Sequence, residues 1–429
     1  MPSKLTLTSD QQEACNKFLG FLLSKEKEFY LFGAAGCGKT FLTQYFLSTV
    51  FENYKNCCKL LNLPEDIKSY ALTATTNKAV EVLQRSFPLD FVSTIYKTMG
   101  VTVLEDYNTG EVKLHQYEHG KIENTLLIID ECSMLSKEML NIIRKRVSNT
   151  SKVVFVGDNY QLAPVNEKAY WNETPEPVTS ILTTPVRNNS NKALISLCAQ
   201  LRDTVDTQVF KNINLVPGSI EHLTKEEAKN YLDNEYDNTR AYILCYTNSK
   251  VIEYQDYLKN LYKLPNEVIQ GNQYINSSNC TDGKKHLYSE ELVRVIYKSK
   301  PKIINTYPNY AFTGNFVELS SVYSNKVITT YIPQSLTEIK RLKKEAKKNK
   351  HWKAYFFLQN NVADLRLPYA STVHKAQGST YDEVLIDLDS FNSCWDKDVA
   401  ARLLYVAVSR AKHRVLFFGS LPKRFGELV

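Results

Sequence analysis

The 429-residue chain has no apolar run near the ~18 residues that a membrane-spanning helix requires. Its first ten residues, 1–10, are polar and lack the apolar centre of a secretory leader. No Cys-x-x-Cys pair occurs, and the nine cysteines, at 15, 37, 57, 58, 132, 198, 245, 280 and 394, are odd in number. A disulfide framework and a structural zinc site are therefore not expected, whereas a reducing compartment is. The expected location is the cytoplasm, or a host's cytoplasm if the chain is viral. With 15 Gly, 14 Pro and no internal repeat, fibrous and collagen-like classes are excluded. What is present is ordinary globular material, 43% hydrophobic and 23% charged, enough to build cores. Lys and Arg number 53 against 46 acids, a net charge of +7 that is compatible with a polyanionic partner. At roughly 150 residues per domain, the length suggests two to four domains.

Short apolar runs alternate with amphipathic stretches along the first part of the chain. Phe29–Phe32, Ser69–Thr75, Leu126–Asp130 and Lys152–Gly157 read as strands. Lys39–Glu52, Asn77–Arg85 and Ser136–Val147 read as helices between them. This alternation predicts crossover connections and a parallel sheet. A second such pattern comprises Tyr242–Tyr246, a helix Ser249–Leu261, Tyr369–Val373, Glu383–Leu388, a helix Lys397–Ser409, and Val415–Gly419. Two segments break the rhythm. Val101–Leu104 and Glu111–Tyr117 alternate apolar and polar residues around Asp106-Tyr107-Asn108-Thr109-Gly110, which predicts a hairpin. Leu292–Ile332 is rich in β-branched and aromatic residues, like a small barrel, and precedes a Lys-rich helical stretch from Leu336 to about Phe357.

Gly33-Ala34-Ala35-Gly36-Cys37-Gly38-Lys39-Thr40 matches Gly-x4-Gly-Lys-Ser/Thr between a predicted strand and a predicted helix. Small residues let backbone N–H groups converge on phosphate oxygens, and the helix start adds partial positive charge. Lys39 can reach the β- and γ-phosphates, and the Thr40 hydroxyl can ligate Mg²⁺. Asp130-Glu131 closes an apolar strand, where one carboxylate can hold Mg²⁺ through water and its neighbour can polarise an attacking water. The pair turns a nucleotide binder into a nucleotide hydrolase.

With these residues the chain resembles the superfamily 1 helicases, in the branch that contains RecD and Dda. Asp130-Glu131-Cys132-Ser133-Met134 resembles motif II. Leu7-Thr8-Ser9-Asp10-Gln11 resembles the adenine-reading Q motif, Ala71–Ala79 motif Ia, and Ser93-Thr94-Ile95-Tyr96 motif Ib. Gly157–Val165 resembles motif III, Leu182-Thr183 with Arg187 motif IV, Ser371–Ser379 motif V, and Leu404–Ala411 motif VI. The family usually carries His where Tyr96 stands, so a DNA contact there is expected to stack rather than carry charge.

The resemblance implies two RecA-like P-loop domains of α/β class. The first would span 1–95 and 118–186 with a β-hairpin pin at 96–117. The second would span 187–285 and 361–429 with an SH3-like barrel and helical tower at 286–360. It implies ATP hydrolysis with Mg²⁺, held by Thr40 and Asp130, driving 5′-to-3′ translocation on single-stranded DNA and unwinding. Catalytic roles fall to Lys39, Asp130, Glu131, Gln161, Arg187 and Arg410. Nucleotide binding falls to Gln11, Gly36, Cys37, Gly38, Lys39, Thr40 and Gly378. Arg187 and Arg410 would stabilise phosphoryl charge only when the cleft closes. DNA contacts are implied at Thr76, Asn77, Lys78, Tyr96, Tyr107, Thr372 and His374. Partners would be single-stranded and forked DNA, with a single-strand-binding protein or replisome components as further candidates. No membrane is implied, and the chain would act as a monomer. DNA against RNA stays open on residue chemistry alone. Lys340, Arg341, Lys343, Lys344, Lys347, Lys348, Lys350 and Lys353 can track a strand, but they spread around the helix and read better as a solvated face. An ATP-switched clamp, or a translocase that displaces proteins without unwinding, is the alternative function. No family pattern or element is assigned to 205–238.

Overall fold

The computed structural model describes residues 7–84, 86–87, 92–117, 120–162, 178–184, 186, 191–283, 285–322 and 326–429. The chain divides into two compact units, one of Met1–Gly100, Glu118–Lys250 and Thr372–Val429, the other of Val101–Tyr117 and Val251–Ser371. Among the described residues no helix is long and apolar enough to cross a membrane.

The first unit contains a six-stranded sheet ordered Val92–Thr94, Ser69–Ala74, Thr125–Asp130, Lys152–Gly157, Glu28–Gly33, Val178–Leu182. Every neighbouring pair is parallel. The strands are near-continuous apolar runs because both faces are covered, as parallel sheets require. On one face Phe18, Phe29 and Phe46 interlock, with Phe18 stacked 4.1 Å from Phe46 and edge-on to Phe29 at 5.4 Å. The helix predicted from Lys39 runs further than its sequence signals suggest. It passes from Lys39–Tyr45 through a π turn, Phe46–Val50, into Phe51–Leu61. Neither Gly nor Pro interrupts it before Asn62, whose φ of 52° ends it.

The second parallel sheet is five-stranded, ordered Ala370–Thr372, Ala241–Cys245, Tyr381–Asp387, Ala411–Phe418, Ile220–Leu223. Its pairs from Ala241–Cys245 through Ile220–Leu223 are parallel. The last strand begins earlier than the sequence suggests, at Ala411. The segment 205–238 supplies the edge strand Ile220–Leu223 and a capped helix, Lys225–Asn230. Helices Lys192–Thr207 and Lys397–Ser409 pack together in the core of this sheet through Leu194, Leu197, Leu403 and Leu404.

In the second unit, Val101–Glu105 pairs antiparallel with Val112–Gln116, so the predicted hairpin forms. Asp106 closes its turn by accepting from the N–H groups of Asn108 and Thr109 through its carboxylate. Gly110, with φ 73°, sits where a Cβ would collide with the Trp352 ring. Tyr107 meets Phe356 edge-on at 5.2 Å, and Asn360 donates to the Glu105 carboxylate at 2.6 Å. The rest of this unit is an antiparallel sheet, including the twelve-residue strand Tyr310–Ser321, with two helices over it. The Lys-rich stretch expected as one helix is two, Leu336–Lys348 and Trp352–Asn360. Lys350 adopts φ 56°, and the His351 N–H folds back to the Ala346 carbonyl, which stops the first helix without Gly or Pro.

Candidate active site

The buried strand Glu28–Gly33 delivers the chain into the Gly-rich turn, and the helix opens at Lys39. Gly36 and Gly38 hold φ values of 86° and 80°, a region closed to most side chains, so the turn can point its N–H groups inward. Cys37 between them is buried. The Lys39 ammonium lies over the turn, donating to the carbonyls of Gly33 at 2.7 Å and Ala34 at 3.1 Å. Thr40 follows it on the first helical turn. Gln11 backs this turn: its side-chain oxygen accepts from the Thr8 N–H, and its amide nitrogen donates to the Cys37 carbonyl at 3.3 Å. Asp10 ties in the neighbouring strand end by accepting from the N–H groups of Thr183 at 2.8 Å and Thr184 at 2.9 Å. From that segment the Val186 N–H donates to the Gly36 carbonyl at 2.9 Å.

Two strands from the phosphate turn, the sheet ends in Asp130 and Glu131. Glu131 holds φ 50°, an uncommon conformation for a non-glycine residue and one that concentrates at working sites. The Thr75 hydroxyl donates to its carbonyl at 3.0 Å, and its N–H donates to the Asp130 carboxylate at 3.0 Å. Burial and the adjacent Glu131 charge push the Asp130 carboxyl well above the usual carboxylate range, against the pull of its hydrogen bond from Glu131 and of Lys39. Lys39 therefore lies within electrostatic reach of Asp130.

The two parallel sheets meet along a polar seam. The Gln377 amide donates to the Gln161 side-chain oxygen at 2.8 Å. Tyr405 donates its hydroxyl to the Asp158 carboxylate at 2.6 Å, with both residues fully buried. Arg402 donates to the carbonyls of Asn159 at 2.7 Å and Gln161 at 3.0 Å. Leu162 packs within the second sheet's core, so the loop carrying Gln161 is clasped by the opposite half. Gly378, at φ 78°, lies close to Glu131: a Cβ there would be 3.9 Å from a Glu131 carboxylate oxygen.

Arg410 is 3% exposed and turned along its own helix. It donates to the Val406 carbonyl at 3.1 Å, the Ser379 carbonyl at 3.1 Å and the Ser409 hydroxyl at 2.9 Å. In this arrangement its guanidinium is taken up by these three acceptors, one of them the carbonyl next to Gly378, which lies close to Glu131. Arg187, and Ala163-Pro164-Val165 of the third motif, lie outside the described residues.

Buried polar atoms without a hydrogen-bond partner gather here. Among the described residues these are Oε2 of Glu131, Oγ of Ser133, Oε1 of Gln377 and Oγ of Ser379; the other two such atoms, Oγ of Ser180 and Oγ of Ser321, stand on the strands Val178–Leu182 and Tyr310–Ser321. Leaving such groups unpaired costs roughly 1–3 kcal/mol each, so their concentration at one seam marks a place where a polar ligand fits.

The expected DNA contacts stand on both sheets and on the hairpin. Thr76 accepts from the Ala79 N–H at 3.1 Å as the helix Asn77–Gln84 begins, leaving Asn77 and Lys78 half-buried on its first turn. Tyr96 is half-buried on the short helix Ile95–Thr98. Thr372 is buried at a strand end, whereas His374, two residues on, is exposed, with its ring 6.1 Å from that of Tyr246. Tyr107 belongs to the hairpin of the other unit and is half exposed there.

Four seam residues carry no role in the sequence reading: Asp158, Gln377, Arg402 and Tyr405. All but Arg402 lie within quoted motifs, but their pairing joins positions more than 200 residues apart. Arg202 was missed entirely. It lies on Lys192–Thr207, its guanidinium is 5.9 Å from the Tyr160 ring, and its charge reaches the Cys37 thiol of the phosphate turn. Burial raises that thiol, and Lys39 and Arg202 oppose the rise. The Leu194, Leu197, Leu201 spacing was the available signal for that helix.

Comparison with known proteins fits this geometry. Residues 12–167 match the AAA domain family, and residues 367–418 match the UvrD-like helicase C-terminal domain family. The chain is 21% identical to the RecBCD enzyme subunit RecD of Buchnera aphidicola, over 96% of this chain and 76% of that protein. It is 20% identical to the ATP-dependent DNA helicase dda of Enterobacteria phage T4, over 96% and 99% respectively. An uncharacterised protein of Acanthamoeba polyphaga mimivirus is 24% identical, over 95% and 98%. Among solved structures, the Pif1 helicase from Bacteroides in complex with ADP-AlF3 and ssDNA superposes with a TM-score of 0.53 at 16% identity, covering 99% of this chain and 95% of that one. That likeness bears on the fold, two RecA-like α/β halves.

Proposed function

We propose, on the premise that the chain belongs to the superfamily 1 helicases related to RecD and Dda, that ATP hydrolysis at the seam of its two parallel sheets drives it 5′-to-3′ along single-stranded DNA and parts the duplex ahead. The enzyme class, an ATP-dependent DNA helicase, follows from that membership; direction, unwinding and residue roles are our reading. The observation that carries it is the set of unpaired buried atoms on Glu131, Ser133, Gln377 and Ser379, where Gly378 of the second half lies close to the Glu131 carboxylate.

In this reading the Gly36–Thr40 backbone and Lys39 bind the nucleotide phosphates, Lys39 exchanging its two turn carbonyls for phosphate oxygens. Gln11, already bonded to the turn, orders the base end of the site. The donor set fits Mg²⁺. Thr40, on the first turn of the helix after the phosphate turn, and Asp130, at a strand end of the same sheet, are hard oxygen donors, and this cation uses few protein ligands alongside phosphate and water. Thr40 and Asp130 would hold it, and when bound it neutralises phosphate charge. Glu131 polarises the attacking water with its unpaired oxygen. Gln161, held by Gln377, orients that water or senses the terminal phosphate.

Arg410 supplies charge when the halves tighten. Releasing it leaves the Val406 carbonyl still paired, since the Ser409 hydroxyl donates to that oxygen at 2.9 Å. Arg187 is proposed as its companion. Nucleotide binding then closes the seam, hydrolysis reopens it, and two DNA grips alternate: Thr76, Asn77, Lys78 and Tyr96 on one half, Thr372 and His374 on the other. The hairpin 101–117, with Tyr107 at its tip, acts as the wedge.

Unwinding of matched 5′-tailed and 3′-tailed duplexes with ATP tests activity and polarity together. Opening of the 5′-tailed duplex is expected, and opening of only the 3′-tailed one rejects the direction. Deleting 105–110 is expected to spare DNA-stimulated turnover and abolish most strand separation. Equal loss of both would count against the wedge.

A further inference from the structure

We infer that Trp395, backed by Arg424, is a base-stacking subsite for single-stranded nucleic acid on the second parallel sheet. The inference rests on the helicase reading above and extends it to a surface that reading does not use. Trp395 is 79% exposed, the most exposed aromatic side chain among the described residues. An indole carries a large apolar area, so holding one in water needs a reason.

Its exposure is imposed by its neighbours. Before it, the turn Asp389–Ser393 is fixed by Ser390, whose N–H and hydroxyl donate to Asp387 at 2.8 and 2.6 Å. Cys394 is buried, with its N–H on the Phe391 carbonyl at 2.9 Å. After it, Asp396 caps the helix Lys397–Ser409 by accepting from the Val399 N–H at 3.1 Å. Residues 394 and 396 are therefore both anchored, and the indole between them stands outward.

One face of the ring has a partner already. The Arg424 guanidinium lies 4.6 Å from the Trp395 ring centre and 4.8 Å from that of Phe425. It is locked in place by donating to the carbonyls of Asn392 at 3.0 Å and Cys394 at 2.9 Å. Among the described residues no carboxylate pairs with it, so its charge remains available to a phosphate. A cation over one face of an indole, with the ring still largely in water, suits a nucleobase stacked on the ring and its phosphate drawn to the guanidinium.

The subsite is continuous with the proposed DNA edge. Tyr246, directly after the strand Ala241–Cys245, donates its N–H to the Ser390 hydroxyl at 2.8 Å, on the turn that leads to Trp395. Its ring lies 6.1 Å from that of His374 and 6.1 Å from that of Phe391. His374, Tyr246 and Trp395 thus each follow the carboxyl end of one of three adjacent strands, Ala370–Thr372, Ala241–Cys245 and Tyr381–Asp387.

The chain has three tryptophans, at 171, 352 and 395. In a Trp171→Phe, Trp352→Phe background, Trp395 is the sole indole. Titration with oligothymidylate is expected to quench its emission saturably, in step with the polarisation of a labelled oligonucleotide. In the otherwise unaltered chain, Trp395→Ala should weaken oligonucleotide affinity about ten-fold, and Trp395→Phe should recover most of the loss. Unchanged Trp395 emission at an oligonucleotide saturation that polarisation reports, or unchanged affinity in Trp395→Ala, overturns the subsite and leaves the helicase reading standing; the indole would then be a surface for a protein partner. If the parent chain binds no oligonucleotide, both fall together.

Discussion

The two parallel sheets of the first unit share an architecture and divide the chemistry. Each is a stack of buried strands with crossover helices, and each presents polar residues at the carboxyl ends of its strands. The first sheet's edge carries the Gly-rich turn, Lys39 and the Asp130-Glu131 pair. The corresponding edge of the second runs from Cys245 into Tyr246 and Thr247 without a glycine, so it has no backbone cradle for phosphate. Toward the seam the second half carries instead Gln377, Arg402 and Tyr405, with Arg410 at the amino end of the strand Ala411–Phe418, while His374 and Trp395 follow the carboxyl ends of strands. A fold of this kind fixes where a site can stand, and the residues at the strand ends decide what is done there. One sheet holds the reacting groups and the other grips the loop that positions them.

If that division is right, damage to either side of the seam stops turnover by different routes. Lys39→Ala is expected to reduce ATP turnover by roughly a thousand-fold while leaving oligonucleotide binding largely intact. Arg410→Lys should cost roughly a hundred-fold, since an ammonium cannot reproduce the forked donation of the guanidinium. Steady-state hydrolysis with and without oligonucleotide, alongside thermal melts, checks both. Normal turnover in Lys39→Ala would remove the phosphate site. A lower melting temperature with unchanged turnover in Arg410→Lys would make Arg410 a clamp for the 378–379 backbone and break the comparison.

Tyr405→Phe tests the grip itself. The substitution leaves the Asp158 carboxylate, fully buried, without a 2.6 Å donor, and keeps the packing of the ring. A loss of about 2 kcal/mol in stability is expected from removing one charge-assisted bond at a buried site. Urea denaturation of the two proteins gives the difference. A midpoint that does not move would mean that water or a rearranged donor replaces the hydroxyl, and that Arg402 and Gln377 carry the grip.

These seam contacts also show what sequence reading reached and what it missed. The strand at Phe29–Phe32, the turn after it and the strand ending in Asp130 were legible because apolar runs and glycine placement are local signals. The helix Lys397–Ser409 was legible to its boundaries, although its cap, Asp396, was not named. The strand Ile220–Leu223 was not, because four residues with one charged member do not announce themselves; it exists through pairing with Ala411–Phe418, nearly 200 residues away. The break between Leu336–Lys348 and Trp352–Asn360 was hidden because Lys350, not glycine, takes the left-handed turn. Gln377 and Tyr405 could be quoted inside motifs, but nothing local says that their partners are Gln161 and Asp158.

Asp10 gives the smallest and most local test of the first sheet's side. Burial alone would raise its carboxyl, but hydrogen bonds from the Thr8 hydroxyl and the backbones of Thr184 and Thr183 overcome this and hold it at about 2. A carboxylate depressed on folding adds stability above its ordinary range, and that stability is lost as pH falls through the folded value. The side chain is largely solvated, so screening reduces the contribution to about 1 kcal/mol. Asp10→Asn is therefore expected to lower stability by about that amount at neutral pH, with the gap narrowing below about pH 4 as the native carboxylate begins to lose its advantage. Urea midpoints of both proteins from pH 7 to pH 3 measure it. The bonds at risk are those that fix Thr183 and Thr184, and through Val186 the Gly36 carbonyl, so the Asn variant should also bind ATP a few-fold more weakly. A stability gap that stays constant across the whole range would assign the effect to the shape of the side chain rather than to its charge.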